Sequence, residues 1–213
     1  MKRLLREERG NVALYFLGLM IVMSVIFLLL VNISKAFVVN MEASSATEQA
    51  AIAGSSVIIE ETLTAVEEYD EMLVPAEEIE EGLKKVQELI DEQQESYVST
   101  GMNPHQAYVY ALNDVLPDEI EERHLLKVTI ENHFMNVGLH NQILSAVQSI
   151  IVDNNGSIED TIVILSEEDW RLEVESTATF SSVSDGDIIP TFEEQIPNKG
   201  YGPQLIFLKN IFE

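Results

Sequence analysis

Cysteine is absent from the 213 residues, so neither disulfides nor thiolate metal sites hold this chain together, and whatever folds must fold on an apolar core. Basic residues are scarce, 12 against 37 acidic ones, which gives a formal net charge of −25. That balance repels phosphate backbones and anionic headgroups, so nucleic acid is not an expected partner. Catalytic signatures are missing too: no GxSxG elbow, no HExxH pair, no phosphate-binding loop and no dinucleotide fingerprint. The expectation is a protein that is not an enzyme and takes no cofactor and no metal. Proline is rare at 6 residues, and the first is Pro75, which leaves the opening third of the chain free of helix breakers.

What fills that third is apolar. From Val12 to Val31 twenty consecutive residues carry no charge. At about 1.5 Å per helical residue the run spans roughly 30 Å, the thickness of a bilayer's hydrocarbon core. Ser34-Lys35-Ala36 offers small residues for a secretory cut, but the run exceeds the roughly 7–15 residues of a signal peptide's apolar core and its pattern continues past that point. A retained membrane anchor is the reading that follows. Lys2, Arg3, Arg6 and Arg9 precede the span, whereas 8 basic and 35 acidic residues lie beyond Val31, a net of −27 there. The positive-inside rule then puts the N-terminus in the cytoplasm and the rest outside a cell membrane crossed once.

Four segments are expected: a short basic one over 1–10, a transmembrane helix over 11–34, its extracytoplasmic continuation over 35–72, and an acidic α+β domain over 73–213. In the continuation Ala46, Ala50 and Gly54 recur every four residues and form a small-residue ridge. A second helix backbone can approach along such a ridge, and so can the chain's own domain. Residues 76–97 read as a helix with Ile79, Leu83, Val86 and Ile90 on one face. A third helix begins with Asn103 as its cap and Pro104 at its first position, and 117–126 adds a further turn or two. Residues 127–134 are ambiguous between helix and strand. Residues 139–152 read as helix, stopped at Gly156 by a left-handed glycine. After Gly156 the apolar period changes to two, which predicts a hairpin over 161–183 turning at 166–169, with Trp170 and Phe180 in the core and residues 203–208 as a further strand.

Polar clusters read blandly. Glu77-Glu78, Glu80-Glu81 and Glu121-Glu122 suit a solvated helix face, and the oxygen-rich stretches 153–160 and 184–187 suit turns, since neither has the spacing of a calcium loop. His105, His124, His133 and His140 form no tight ligand pair and suit surface or capping positions.

Arg9-Gly10-Asn11-Val12-Ala13-Leu14, followed by the apolar span and by the small-residue stretch 44–54 with Glu48 inside it, resembles the TadE/TadG-like pseudopilin family of the tight-adherence (Flp-type) pilus assembly apparatus. The resemblance implies an α+β fold in which a single N-terminal transmembrane helix extends into a long pilin-like helix ahead of a small helical and antiparallel-sheet domain. It also implies membrane lipid and other pilin-like or pilus-assembly subunits as partners, and prepilin-peptidase processing between Gly10 and Asn11. The glutamate that processed pilins carry five residues after that glycine is here Tyr15, which favours the unprocessed, TadG-like side of the family and a minor structural subunit. The rival expectation is a membrane-tethered binding or sensor module unrelated to pili.

Overall fold

The structure is a computed structural model that describes residues 4–73, 84–154, 156–184 and 190–213, with side chains described from residue 12 onward. Its elements are α1 (Leu4–Leu73), α2 (Val86–Ser99), α3 (Pro104–Glu122), α4 (His124–Val137), α5 (Leu139–Asp153), β1 (Ile162–Ser166), β2 (Arg171–Ser181), β3 (Glu193–Gln204) and α6 (Leu208–Phe212). The class is mixed α+β: a long apolar N-terminal helix, then helices, then a three-stranded antiparallel sheet ordered β1-β2-β3. The chain divides into two compact units, one of Met1–Glu42 with Ala178–Ile196, the other of Ala43–Thr177 with Pro197–Glu213.

In the first unit the most apolar stretch of α1 has no buried residue, the state expected of side chains whose solvent is lipid. Among the described residues it is the one stretch long and apolar enough to cross a membrane, which suits a single-pass anchor. Near its end two polar side chains reach sideways. Asn32 Oδ1 accepts the Val183 N–H at 2.6 Å and Asn32 Nδ2 donates to the Leu28 carbonyl at 3.1 Å, while Lys35 Nζ donates to the Ser181 carbonyl at 2.6 Å. Strand-end carbonyls and amides thereby find partners on a helix.

In the second unit α1 is the central element. Its buried positions, Ala43, Ala46, Ala50, Gly54, Ile58, Ala65 and Tyr69 among them, step by threes and fours, the repeat of one helical face. Hydroxyls on that face return to the helix's own carbonyls, Ser55 to Ala51 at 2.8 Å and Thr62 to Ile58 at 2.7 Å, so they can be buried without unpaired donors. Around α1 pack Ile90 from α2, Leu112 and Leu116 from α3, Leu126 and Ile130 from α4, and Val147 from α5.

The helix expected over 76–97 begins, among the described residues, at Val86, and Ile79 and Leu83 lie outside them. Its first amides are met from α1: Asp70, 4% exposed, accepts the Val86 N–H on one carboxylate oxygen at 3.0 Å and the Gln87 N–H on the other at 2.9 Å. Asn103 caps α3 as expected, accepting the His105 N–H at 3.0 Å. The helix then runs through Pro117 to Glu122 and breaks at Arg123, which pairs with Glu119 at 2.6 Å. Residues 127–134 resolve as helix, within α4, and left-handed Gly138 (φ 64°) ends that helix and starts α5.

Two expectations are corrected. Gly156 does not take a left-handed conformation; its N–H bonds the Ile151 carbonyl at 2.8 Å, and a Cβ there would press on Ile151, so the need is for close approach. Residues 203–208 are not a strand of their own: Pro203 and Gln204 end β3, Leu205 donates its N–H to the Trp170 carbonyl at 2.7 Å, and Leu208 opens α6. Leu205, Phe207 and Leu208 are all fully buried, which a two-faced strand cannot arrange and a turn into a helix can. The third strand is instead 193–204, whose proline and glycines hid it.

Removing the Asp70 carboxylate leaves two helix-start amides without an acceptor, Val86 buried and Gln87 half-buried. Asp70→Ala is expected to cost about 2 kcal/mol in denaturant unfolding, while Asp91→Ala, on the exposed face of α2, stays within about 0.5 kcal/mol of wild type.

Candidate functional site

The sequence carries no catalytic signature, and α1 presents two kinds of face, one filled by the chain itself and one uncovered. The ridge of Ala46, Ala50 and Gly54 is buried, and the chain itself fills it. A Cβ at Gly54 would overlap Leu172 of β2 and touch Val147 of α5 at 3.0 Å and Ile143 at 3.3 Å. Beside the ridge, β3 lies directly on the helix backbone. A Cβ at Gly200 would overlap the Thr47 carbonyl, and one at Gly202 would overlap the Ser55 hydroxyl and meet the Ala51 carbonyl at 3.0 Å. Two glycines two residues apart in a strand share one face, and here that face is the one laid on α1. The sequence signal was present in Gly200-Tyr201-Gly202, a pair of strand glycines opposite a stretch of small helix residues.

Other positions of α1 are uncovered. In the first unit Ile33, Phe37 and Met41, spaced by four, are 65%, 68% and 60% exposed, and Tyr15 is 70% exposed. Glu48, the acidic residue of the small-residue stretch, is exposed as well. Gly10 and Asn11 fall within α1, and their side chains lie outside the described set.

Histidine expectations need one correction. His105, His124 and His140 are exposed, but His133 on α4 is buried. Its Nε2 is 2.7 Å from a Glu61 oxygen and its Nδ1 3.2 Å from a Glu68 oxygen, both glutamates being on α1. Both ring nitrogens of this α4 residue thus face carboxylates of α1, which ties the two helices together. The spacing of Glu61 and Glu68 was readable as one helix face, but nothing in the sequence pointed His133 at it.

The sheet's outer face carries a second charge cluster. Lys199 of β3 bridges Glu173 at 2.7 Å and Glu175 at 3.0 Å, while Arg171 pairs with Asp169 at 2.7 Å and lies 4.3 Å above the Tyr201 ring. The hydrogen bond from Lys199 holds the Glu173 carboxyl below its ordinary range, and the two carboxylates hold the Lys199 ammonium above its own. Of the turn-forming acidic stretches, Asp160 accepts the Thr177 hydroxyl at 2.8 Å, and 185–187 and Asn155 lie outside the described residues, as do Glu77, Glu78, Glu80 and Glu81. Glu121 and Glu122 are exposed. Among the described residues no three His, Asp or Glu side chains converge as metal ligands.

Residues 10–57 match the family model described as "Putative Flp pilus-assembly TadE/G-like". The match covers the membrane-length run and the ridge, and makes the N-terminal helix TadE/TadG-like in kind. No curated protein and no solved structure matches the chain.

Two outcomes follow from the helix–strand seam and the ion cluster. Gly200→Ala forces a methyl group into helix backbone that cannot yield, and should lower unfolding free energy by at least about 2 kcal/mol, against under about 1 kcal/mol for Tyr201→Ala on the opposite side of the same strand. The depressed Glu173 value means its contribution is complete above the ordinary glutamate range and is lost as pH falls through the lowered value. Lys199 contributes in full below the ordinary lysine range and loses that contribution as pH rises through its raised value. The Tm gap between wild type and Lys199→Met should therefore be open near neutral pH and close on acidification.

Proposed function

From the TadE/TadG-like character of residues 10–57, we propose that the chain is a membrane-anchored structural component of a Flp-type pilus assembly or related secretion and adhesion system, a minor subunit without catalytic activity. The observation that carries the reading is that the match covers the membrane-length apolar run together with the helix that follows it. The basic residues Lys2, Arg3, Arg6 and Arg9 support a cytoplasmic N-terminus, with the acidic remainder outside. Lipid is one partner, and pilin-like or pilus-assembly subunits are the others.

Subunit contact runs through the exposed face of α1 that holds Ile33, Phe37 and Met41, because these side chains are uncovered while the ridge is already filled. In lipid and at its border, helices associate through van der Waals packing, and an uncommitted apolar face is the surface that can supply it. The lack of a charge at Tyr15 supports a minor role, since nothing there fixes register by ion pairing with a neighbour. A membrane-tethered binding module is the second reading, and the filling of Ala46, Ala50 and Gly54 by the chain's own domain favours it.

Cysteine crosslinking in native membranes separates them. Phe37→Cys and Met41→Cys should give adducts with other pilus-system subunits, whereas Ala50→Cys, buried in its own domain, should give none. Absence of adducts at all three positions would leave the helix as a tether.

A further inference from the structure

The sheet has one edge that the fold leaves open. In the order β1-β2-β3, β1 pairs with β2 alone, and among the described residues no other backbone group meets Ile162–Ser166. Alternate amides and carbonyls of β1 thus point away from the sheet. Edge strands are ordinarily blunted by lysine, proline or a bulge. β1 has neither a charge nor a proline, and its register with β2 runs without interruption from Ile162 opposite Glu175 to Ser166 opposite Arg171.

Both faces of this edge are apolar. Ile162 and Ile164 are exposed on the outer face. On the inner face Val163 and Leu165 border a groove of about 550 Å³ whose far wall is formed by Met135 of α4 and Leu139 and Ile143 of α5. A strand added beside β1 would satisfy the open backbone groups and drop alternate side chains into that groove.

Charge decides the occupant. β1 is bracketed by Glu159 and Asp160 before it and by Glu167, Glu168 and Asp169 after it. Asp160 takes the Thr177 hydroxyl and Asp169 pairs with Arg171, which leaves Glu159, Glu167 and Glu168, all exposed, as uncommitted negative charge at the two ends of the strand. A second copy pairing antiparallel would set its leading acids against the other's trailing acids, and a parallel copy would set like ends side by side. Either way carboxylates face carboxylates. We infer that the free edge of β1 receives an extended segment of another protein, apolar in its middle and basic at both ends. The inference is independent of the pilus reading.

The test uses the full chain in detergent micelles and a short fluorescent peptide of alternating valine and threonine with two lysines at each end. Saturable binding is expected, weakened about tenfold by Glu167→Lys with Glu168→Lys, which lie in an exposed turn and leave unfolding unchanged. The same peptide N-methylated at alternate residues should not bind, since it cannot complete the ladder. Equal binding of the N-methylated peptide, or of a version with glutamates at its ends, would overturn the inference. So would a concentration-dependent dimer of the full chain that Ile164→Lys dissolves, because a second copy would then own the edge.

Discussion

The fold of the second unit depends on a backbone-to-backbone contact, the one in which β3 lies on α1 at Gly200 and Gly202. Helix and strand normally keep apart by the thickness of two side chains. Here glycine on one side and alanine, serine and threonine on the other remove that layer, and the peptide groups of Thr47 and Ala51 become packing surface. Much else follows from this close approach. Leu172, on the neighbouring strand, comes within reach of Gly54, and the sheet's inner face closes on α5.

Small residues on a helix that leaves a membrane invite the idea of helix bundling, and the ridge shows why composition alone does not decide the matter. The same alanines that admit a second helix admit a glycine-bearing strand. In this chain the strand is present in the same polypeptide, and an intramolecular partner carries no association cost. The apolar positions left over, Ile33, Phe37 and Met41, are large rather than small, so the helix separates the residues that serve folding from those that remain uncovered.

How much of this was legible beforehand can be argued residue by residue. The membrane-length run, the Asn103 cap and the β1–β2 hairpin were readable because each depends on local chemistry: uncharged length, an acceptor beside a helix start, alternation around a turn. β3 was hidden because half of its inward positions are glycines, and hydropathy alternation vanishes where the buried side chain is a hydrogen atom. Asp70 and His133 were hidden for a different reason. Their partners stand 16 and 72 residues away, and a carboxylate that caps a distant helix looks in sequence like any other surface acid.

Trp170 closes the hairpin with a positive φ of 49°, buried to 8% exposure, and its carbonyl receives the amide that starts the C-terminal tail. It is also the single tryptophan of the chain. The molecule therefore contains one indole chromophore, sited where turn, sheet and tail meet. Its ultraviolet emission reports on that junction alone, with no indole in the membrane-length run of α1 to add to it.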